Sequence, residues 1–368
     1  MKQDTGRTIP NLVPIEKSEQ QDLFAIAAAH GCEEIHIKTD PATQLKAIIA
    51  IHNTKLGPAV GGCRCRSYPS ATAAIVDALR LARGMSYKAA LAGVARGGGK
   101  AVLVCPDRIH NREALFESFG DFIESLGGHY ATAVDNGTST ADMDIIARRT
   151  RHVLSLSKDK GGTGDPSPFT ARGIRMAIEV AVGKVLKRDS LEDIHVAIQG
   201  VGHVGYALAC ELHTRGAQLT VTDTHSDHMQ RCADEFGARC VSPESIYDVR
   251  CDIFSPCALG AVVNDTMIQR FNTRIIAGAA NNQLEDKRHG QLLYQRGILY
   301  LPDYVINAGG LIFVLQNNPE KRERQLVAMI NTLDELLTRS MHTGTPPFRQ
   351  ADRMAEEILG LEPDSRAA

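Results

Sequence analysis

The sequence reads as an α/β protein of two domains whose second half is a Rossmann-type, doubly wound sheet. Three features carry that reading. The run IHVAIQ (194–199) is a strand, GVGHVG (Gly200–Gly205) follows it at once, and YALACELHTRG continues as a helix closed by Gly216. The next strand, QLTVTD, ends in Asp223, 23 positions after Gly200. A G-x-G-x-x-G set between strand and helix, with an acidic residue ending the following strand, is the dinucleotide-binding fingerprint in the context it requires. Strand and helix patterns then keep alternating through residues 228–310, and 368 residues leave room for a second domain of ordinary size.

The composition is that of an ordinary globular chain, 43% hydrophobic and 23% charged. A net charge of −2 without any basic block argues against nucleic acid or an anionic membrane as partner. No apolar run approaches the roughly 18 residues of a membrane span. Residues 1–20 form a polar tail without the apolar core of a signal peptide, so a cytoplasmic location is expected. Nine scattered cysteines fit reduced thiols in such a compartment. The one close pair, Cys63 and Cys65, has no second pair or histidine beside it, and no metal site is expected.

In chain order, LFAIAAAHG (23–31) predicts a short helix stopped by glycine. EEIHIK (33–38) and LKAIIAIHN (45–53) predict strands. LGPAVGGCR (56–64) contains Pro58 and the Gly61–Gly62 pair and reads as irregular backbone. Ile75, Leu79, Ala82 and Met85 recur at helical spacing, which places Lys88 near the end of an amphipathic helix. Gly97, Gly98 and Gly99 then lead to Lys100 at the mouth of a buried strand, AVLVC (101–105). A lysine held there, away from water and near a second cation, has a lowered pKa and can act as a base. Taken alone, the same residues also read as two solvated lysines around a glycine turn. Residues 112–126 read as a helix, and Tyr130–Val134 as a strand that ends in Asp135 before a polar turn (136–140) and a further helix. Asp135 at a strand end suits a catalytic carboxylate and equally a turn or cap.

In the second half, Gly200 makes the tight turn, Gly202 admits a pyrophosphate and Gly205 lets helix and strand pack closely. The free N–H groups of the helix N-terminus face the phosphates. Asp223 would accept hydrogen bonds from the adenosine ribose and repel a 2′-phosphate, which favours NAD over NADP. Residues 228–236 read as a helix, and CDIFSPCALG (251–260) and RIIAGAANN (274–282) as strands running into loops. GILYLPDYVINAGG (297–310) reads as a strand and a polar, glycine-rich turn. Asn281 and Asn307 fall where a cofactor or a closed cleft would be contacted, or are turn residues. Residues 320–361 are helical and charged, broken at Pro346–Pro347, and there is no internal repeat.

From about Leu23 to Leu361 the chain resembles the glutamate/leucine/phenylalanine/valine dehydrogenase family, and is most like its leucine dehydrogenase branch. The matching segments are LKAIIAIHNTKLGPAVGGCR, ALRLARGMSYKAALAG, GGGKAV, DMDII, VAIQGVGHVGYAL, CDIFSPCALGA, IIAGAANNQL and GILYLPDYVINAGG. The resemblance implies an N-terminal substrate-binding and oligomerisation domain (21–154, joined by C-terminal helices at about 345–368). It also implies an NAD-binding domain (155–344), a cleft between the two, and a homo-oligomer from dimer to octamer. Carried over by residue, Lys88 pairs with the substrate α-carboxylate, Lys100 is the catalytic lysine and Asp135 shuttles the proton of the substrate amine. Thr170 and Asn281 match positions that touch the cofactor, as do Ala258 and the loop residues Val201, His203 and Val204. Gly61, Met85 and Ala133 fall in the substrate site.

The implied reaction is reversible oxidative deamination of an L-amino acid to its 2-oxo acid, ammonia and NADH. In the glutamate branch a lysine occupies the place of Val60 and binds the side-chain carboxylate, whereas here Val60, Leu311 and Val314 make the matching pocket apolar. Burying a γ-carboxylate there would cost several kcal/mol without a partner. Leucine, valine and isoleucine are therefore expected before glutamate, with phenylalanine or tryptophan as the alternative. Leu154 and Asn136 depart from the threonine and valine of the leucine enzymes, and Cys63 and Cys65 also replace other residues near the cleft. A non-catalytic NAD- or amino-acid-binding relative would be expected to lose Lys100 or Asp135, and both are present.

Overall fold

The computed structural model describes residues 22–362 apart from Asp107 and Leu259, so the tail expected over 1–20 lies outside the described residues. The first layer opens with α1 (Leu23–His30), capped by the Asp22 carboxylate and stopped at Gly31, whose φ of 65° favours a residue without Cβ. Then come β1 (Glu34–Asp40), β2 (Leu45–Asn53), β3 (Ala59–Arg66), α2 (Ala71–Leu91), β4 (Gly97–Val104), α3 (Arg112–Ser125), β5 (Tyr130–Val134) and α4 (Thr140–Ile146). The sheet order is β1-β2-β4-β3-β5. The pairs β1–β2 and β2–β4 are antiparallel, and β4, β3 and β5 run parallel.

Period-two alternation sorts the two faces of this sheet. Ile49, Ile51, Cys63, Ala101 and Leu103 point into a core with Phe116, Phe119 and Ile123 of α3 and Met143 and Ile146 of α4. Ile48, Ala50 and Val102 point the other way, onto Ala74, Ala78, Leu79 and Ala82 of α2. Lys100 shares the parity of Val102 and therefore faces α2, the helix that carries Lys88.

Two expectations fail here for one reason. Residues 59–66 are a central strand, not irregular backbone, and β4 begins at Gly97, so Lys100 sits inside a strand and not at its mouth. The glycines are strand residues chosen for close approach. A Cβ on Gly61 would overlap the Gly99 carbonyl oxygen, and one on Gly98 would overlap the backbone nitrogen of Ser86 in α2. A Cβ on Gly99 would stand 2.8 Å from the Tyr130 ring. The helix thus lies on the sheet at backbone distance where the two lysines meet.

The second layer contains α5 (Ser167–Val185), β6 (His195–Gln199), α6 (His203–His213), β7 (Gln218–Thr222), α7 (Ser226–Phe236) and β8 (Arg239–Cys240). It continues with β9 (Ile253–Pro256), α8 (Asp265–Arg270), β10 (Ile275–Ile276), α9 (Lys287–Gln295) and β11 (Leu299–Tyr300). All its pairings are parallel and the order is β11-β10-β9-β6-β7-β8, the doubly wound arrangement with its switch point beside β6. Residues 303–315 are not the expected turn but two short helices, α10 (Asp303–Ile306) and α11 (Gly309–Leu315). Their apolar residues Val305, Ile306 and Ile312 are buried, which rewards helix over an open loop.

The chain ends in α12 (Pro319–Thr343) and α13 (Pro347–Leu359), separated at Pro346–Pro347 as expected. Tyr87, Leu91 and Val94, in and just after the last turns of α2, share a core with Ile174 of α5, Leu326 of α12 and Met354 of α13. The Tyr87 hydroxyl donates to Glu356 at 2.8 Å. The C-terminal helix is therefore packed against the helix that carries Lys88.

The cysteines depart from expectation at one place: Cys65 and Cys105 are joined by a disulfide, with Cα atoms 5.9 Å apart. Cys65 lies in β3 and Cys105 just beyond the neighbouring β4, where its N–H donates to the Arg66 carbonyl at 3.0 Å. Strand pairing, which the sequence spacing of 40 hides, brings the two thiols together. Among the described residues no helix is long and apolar enough to cross a membrane.

The glycine argument yields a paired test. Gly84 lies in α2 with nothing within 4 Å of an added Cβ, so Gly84→Ala should raise stability by about 0.5–1 kcal/mol through helix propensity. Gly61→Ala should lower it by at least about 3 kcal/mol, because backbone must move. Urea unfolding of the two variants beside the parent checks both signs.

Candidate active site

The loop after β5 is built to hold one carboxylate. Ser139 and Asp142 form a capping box at the start of α4, and Arg112 grips Asp142 through two bonds, at 2.8 and 2.9 Å. Gly137, at φ 82°, brings the turn against the Cys65 carbonyl, where a Cβ would overlap. The Thr138 hydroxyl accepts from the Asp135 N–H at 3.0 Å. Asp135 is thereby fixed beside β3 and β4.

Its Oδ2 takes two cations at once, Lys100 Nζ at 2.8 Å and Arg64 Nε at 3.1 Å. A Cβ on Gly62 would stand 2.7 Å from Asp135 Cβ and 3.1 Å from Lys100 Nζ, so the absence of a side chain at Gly62 makes the room in which they meet. Burial alone would raise the Asp135 carboxyl, but Lys100 and Arg64 outweigh it and hold the group below the ordinary range. Lys100, only 6% exposed, is pushed down by burial and further by Arg64, against the pull of Asp135. Arg64 is in turn held by Asp77 at 2.9 Å, which also accepts from the Tyr68 hydroxyl at 2.7 Å and from Arg80 at 3.1 Å. A buried lysine touching a fixed, ionised carboxylate is a pair suited to moving protons.

Lys88 ends α2 on the same side of the sheet. Its Nζ donates to Asn281 Oδ1 at 3.2 Å, and Asn307 Nδ2 donates to the same oxygen at 2.9 Å. Burial, helped by Lys100, brings Lys88 down to about 8 although Asp303 pulls the other way. Asp303 is itself raised by burial, while the Gln283 N–H, donating at 2.7 Å, resists the rise. Asn307 Oδ1 is buried without a donor. An N–H group of a bound molecule would satisfy it.

The glycine loop has the form a dinucleotide requires. Gly200 has φ 91°, and a Cβ there would stand 2.7 Å from that of Ala258. A Cβ on Gly205 would overlap the Gly200 carbonyl, which confirms its packing role. Gly202 faces open space, with nothing within 4 Å of an added Cβ. It is also the N-cap of α6 and gives no side-chain cap, so the first N–H groups of that helix remain available to an anion. Exposed His203 and half-buried Val204 begin the helix, and buried Val201 precedes it. Asp223 Oδ2 accepts from the Val201 N–H at 2.8 Å, which ties the end of β7 to the loop. These residues fit a dinucleotide.

The structure thus brings together Lys88, Lys100, Asp135 and Asn281, and separately the loop with Ala258 and Asp223. Ala133 is the partner of Gly62 in the β3–β5 pairing. Met85 lies one turn before Lys88 on α2. Thr170 is buried on α5, donating to the Pro166 carbonyl at 2.9 Å. The apolar set is divided: Val60 is buried in β3, whereas Leu311 and Val314 lie on α11, which packs on α5 and α12. Leu154, just after the Thr132–Val153 bridge, donates its N–H to the Thr132 carbonyl at 2.8 Å. Arg64, Asp77 and Asp303 are the site residues that sequence reasoning missed. Had β3 been read as a strand, alternation would have put Arg64 on the face of Gly62 and Val60.

Comparison with known proteins agrees with this geometry. The family model described as "Glu/Leu/Phe/Val dehydrogenase, dimerisation domain" matches residues 32–152, and "Glutamate/Leucine/Phenylalanine/Valine dehydrogenase" matches residues 219–343. The chain is 45% identical to a leucine dehydrogenase of Thermoactinomyces intermedius, over 94% of this chain and 95% of that one. It is 40% identical to an L-tryptophan dehydrogenase of Nostoc punctiforme, over 94% of this chain and 98% of that one. The crystal structure of L-tryptophan dehydrogenase from Nostoc punctiforme superposes with a TM-score of 0.81 at 38% identity, covering 94% of this chain and 100% of that one. With two family models in order along one chain and relatives matched end to end, the protein belongs to the glutamate/leucine/phenylalanine/valine dehydrogenase family.

Proposed function

We propose that the protein is an NAD-dependent L-amino-acid dehydrogenase that deaminates leucine, valine and isoleucine to their 2-oxo acids. The observation that carries the mechanism is the 2.8 Å contact of buried Lys100 with Asp135, beside Lys88. The 45% identity to leucine dehydrogenases supports the aliphatic substrate class. Residues 21–154 with the C-terminal helices from about 345 act as the substrate-binding and oligomerisation domain, and residues 155–344 bind NAD. The enzyme works in the cytoplasm and as a homo-oligomer, the second reading supported by the dimerisation-domain match.

The loop Gly200–Gly205 would hold the NAD pyrophosphate and Asp223 its adenosine ribose, with Thr170, Ala258 and Asn281 along the remaining length. NAD, when bound, supplies the acceptor for the hydride of the substrate Cα. Lys88, as its ammonium, pairs with the substrate carboxylate, and Asn281 and Asp303 keep it aimed. Asp135, kept ionised by Arg64, takes a proton from the substrate amine. Neutral Lys100 takes a proton from the water whose oxygen adds to the imine carbon. Asp135 then returns its proton to nitrogen and, as the C–N bond breaks, takes the proton of the carbinolamine hydroxyl, so that ammonia leaves and the carbonyl of the 2-oxo acid forms. Lys100 and Asp135 afterwards release their protons to solvent.

Removing the base tests the assignment first. Lys100→Ala should lower kcat by about 10²–10⁴-fold with NAD binding retained, as read by turnover beside a binding titration. A variant that kept most of its rate would sink the role.

Arg64 should act through Asp135 and Lys100. It depresses both pKa values, so Arg64→Gln should let both rise. Activity requires neutral Lys100 and increases with pH through its pKa, so the rising limb of kcat/KM should move to higher pH. Arg64→Lys, which keeps the charge, should recover part of the shift. A slower enzyme with an unmoved profile would make Arg64 a fold support only.

A substrate panel read by NADH formation tests specificity. Leucine, valine and isoleucine should exceed glutamate in kcat/KM by at least about a hundredfold, the equivalent of about 3 kcal/mol for an unpaired carboxylate against Val60. NADP should be a poor substitute for NAD. Faster phenylalanine or tryptophan would keep the mechanism and overturn the aliphatic choice.

A further inference from the structure

The sequence DTHSDH (Asp223–His228) turns three metal-ligating side chains toward one point at the end of β7. The Nδ1 atoms of His225 and His228 stand 3.3 and 3.6 Å from the same oxygen, Asp223 Oδ1. All three donor atoms lie within 4.8 Å of one another, and the two rings are tilted with centroids 5.1 Å apart. Tetrahedral coordination with bonds of about 2.0–2.1 Å places neighbouring donors about 3.4 Å apart. The separations from Asp223 Oδ1 already match that spacing, and rotation of two exposed rings can close the third.

The carboxylate is held for the task from behind. Its Oδ2 accepts from the Val201 N–H at 2.8 Å and its Oδ1 from the His225 N–H at 2.9 Å, so its orientation is fixed before any ligand arrives. The imidazoles are open to solvent, 73% exposed at His225 and 49% at His228, which leaves the remaining coordination positions to water. The Thr224 hydroxyl also lies 3.2 Å from His225 Nδ1, a contact a metal would have to displace. The N-terminus of α7 opposes a cation, and Asp227 in its first turn offsets that field. Two imidazoles with one carboxylate suit zinc, copper or nickel and not magnesium or calcium, which prefer all-oxygen shells.

We propose that Asp223, His225 and His228 form a binding site for a divalent transition metal of the zinc class, and that its occupancy excludes the adenosine ribose. The exclusion rests on the proposed role of Asp223, because metal and ribose require the same oxygen. The metal site itself does not rest on it. A metal so placed would inhibit by competing with the dinucleotide and not with the amino acid.

The test is equilibrium dialysis of the whole oligomer against Zn2+, followed by kinetics. One Zn2+ per chain should bind, with affinity falling at least about tenfold in His225→Ala and in His228→Ala. Both histidines are exposed and outside the proposed catalytic set, so these variants should keep the parent KM for NAD without metal. In the parent, Zn2+ should raise the apparent KM for NAD and leave kcat unchanged, and the effect should vanish in either variant. Exposed Cys210 and Cys240 are the other thiol sites to which Zn2+ could bind. Zn2+ retained equally by the histidine variants would overturn the proposal. Zn2+ lost from the variants without competing against NAD in the parent would uphold the metal site and overturn the reading of Asp223 as ribose acceptor.

Discussion

The site depends on the distance between three pieces of backbone. Strands β3 and β4 and the end of α2 approach so closely that Gly61 and Gly98 have no space for a Cβ, and Asp135 and the Tyr130 ring close off Gly62 and Gly99 in the same way. That approach puts Lys100 of β4 opposite Asp135 and under the helix that carries Lys88. With alanine at Gly98, α2 would have to lift from the sheet, and two lysines from different elements would no longer share one low-dielectric volume. Backbone proximity therefore sets the electrostatics. Crowding cations away from water is what moves their protonation toward neutrality.

Two cations on one carboxylate oxygen, Lys100 and Arg64 on Asp135, would be unstable if they were simply buried together. The structure distributes them along a chain of alternating charge, Lys100 to Asp135 to Arg64 to Asp77, with Tyr68 and Arg80 closing the end nearer the surface. Each internal charge has a partner of opposite sign, which is the condition for burying ions without prohibitive desolvation. Lys88 stands outside that chain. It is met by the amide of Asn281 and, at longer range, by Asp303, so among the described residues it has no carboxylate within bonding distance to neutralise it. A cation held by an amide oxygen can still be offered to an anionic ligand.

Much of this was legible in the sequence, and the failures share one cause. The Gly200–Asp223 unit could be read because its glycines stand between unmistakable elements. The structure has a positive φ at Gly200, open space at Gly202 and, at Gly205, close contact with the Gly200 carbonyl and Cys257, a form that fits the predicted loop. The Gly61–Gly62 pair of β3 reads as punctuation and the glycines of β4 as a lead-in to the strand, because glycine breaks strands far more often than it builds central ones. With β3 unrecognised, the parity that aims Arg64 at Asp135 was invisible. The Cys65–Cys105 pairing, which depends on the same strand register, was hidden with it. In Gly297–Gly310 the error ran the same way. Polar and glycine signals predicted a turn, but burial of Val305, Ile306 and Ile312 decided for helix.

With the roles proposed for them, Lys88, Lys100 and Asp135 address only the groups that all amino acids share, so the charged half of the site has no means of telling one from another. On the proposed reading, selection falls to apolar residues held by different layers, Val60 in the first sheet and Leu311 and Val314 on α11 against the second. The space available to a side chain is then set by how far α11 stands from β3, and not by any single residue. A methylene in such a pocket changes discrimination by only about 1–3 kcal/mol. A small shift of α11 on α5 and α12 would exchange an aliphatic for an aromatic preference without touching the charged groups.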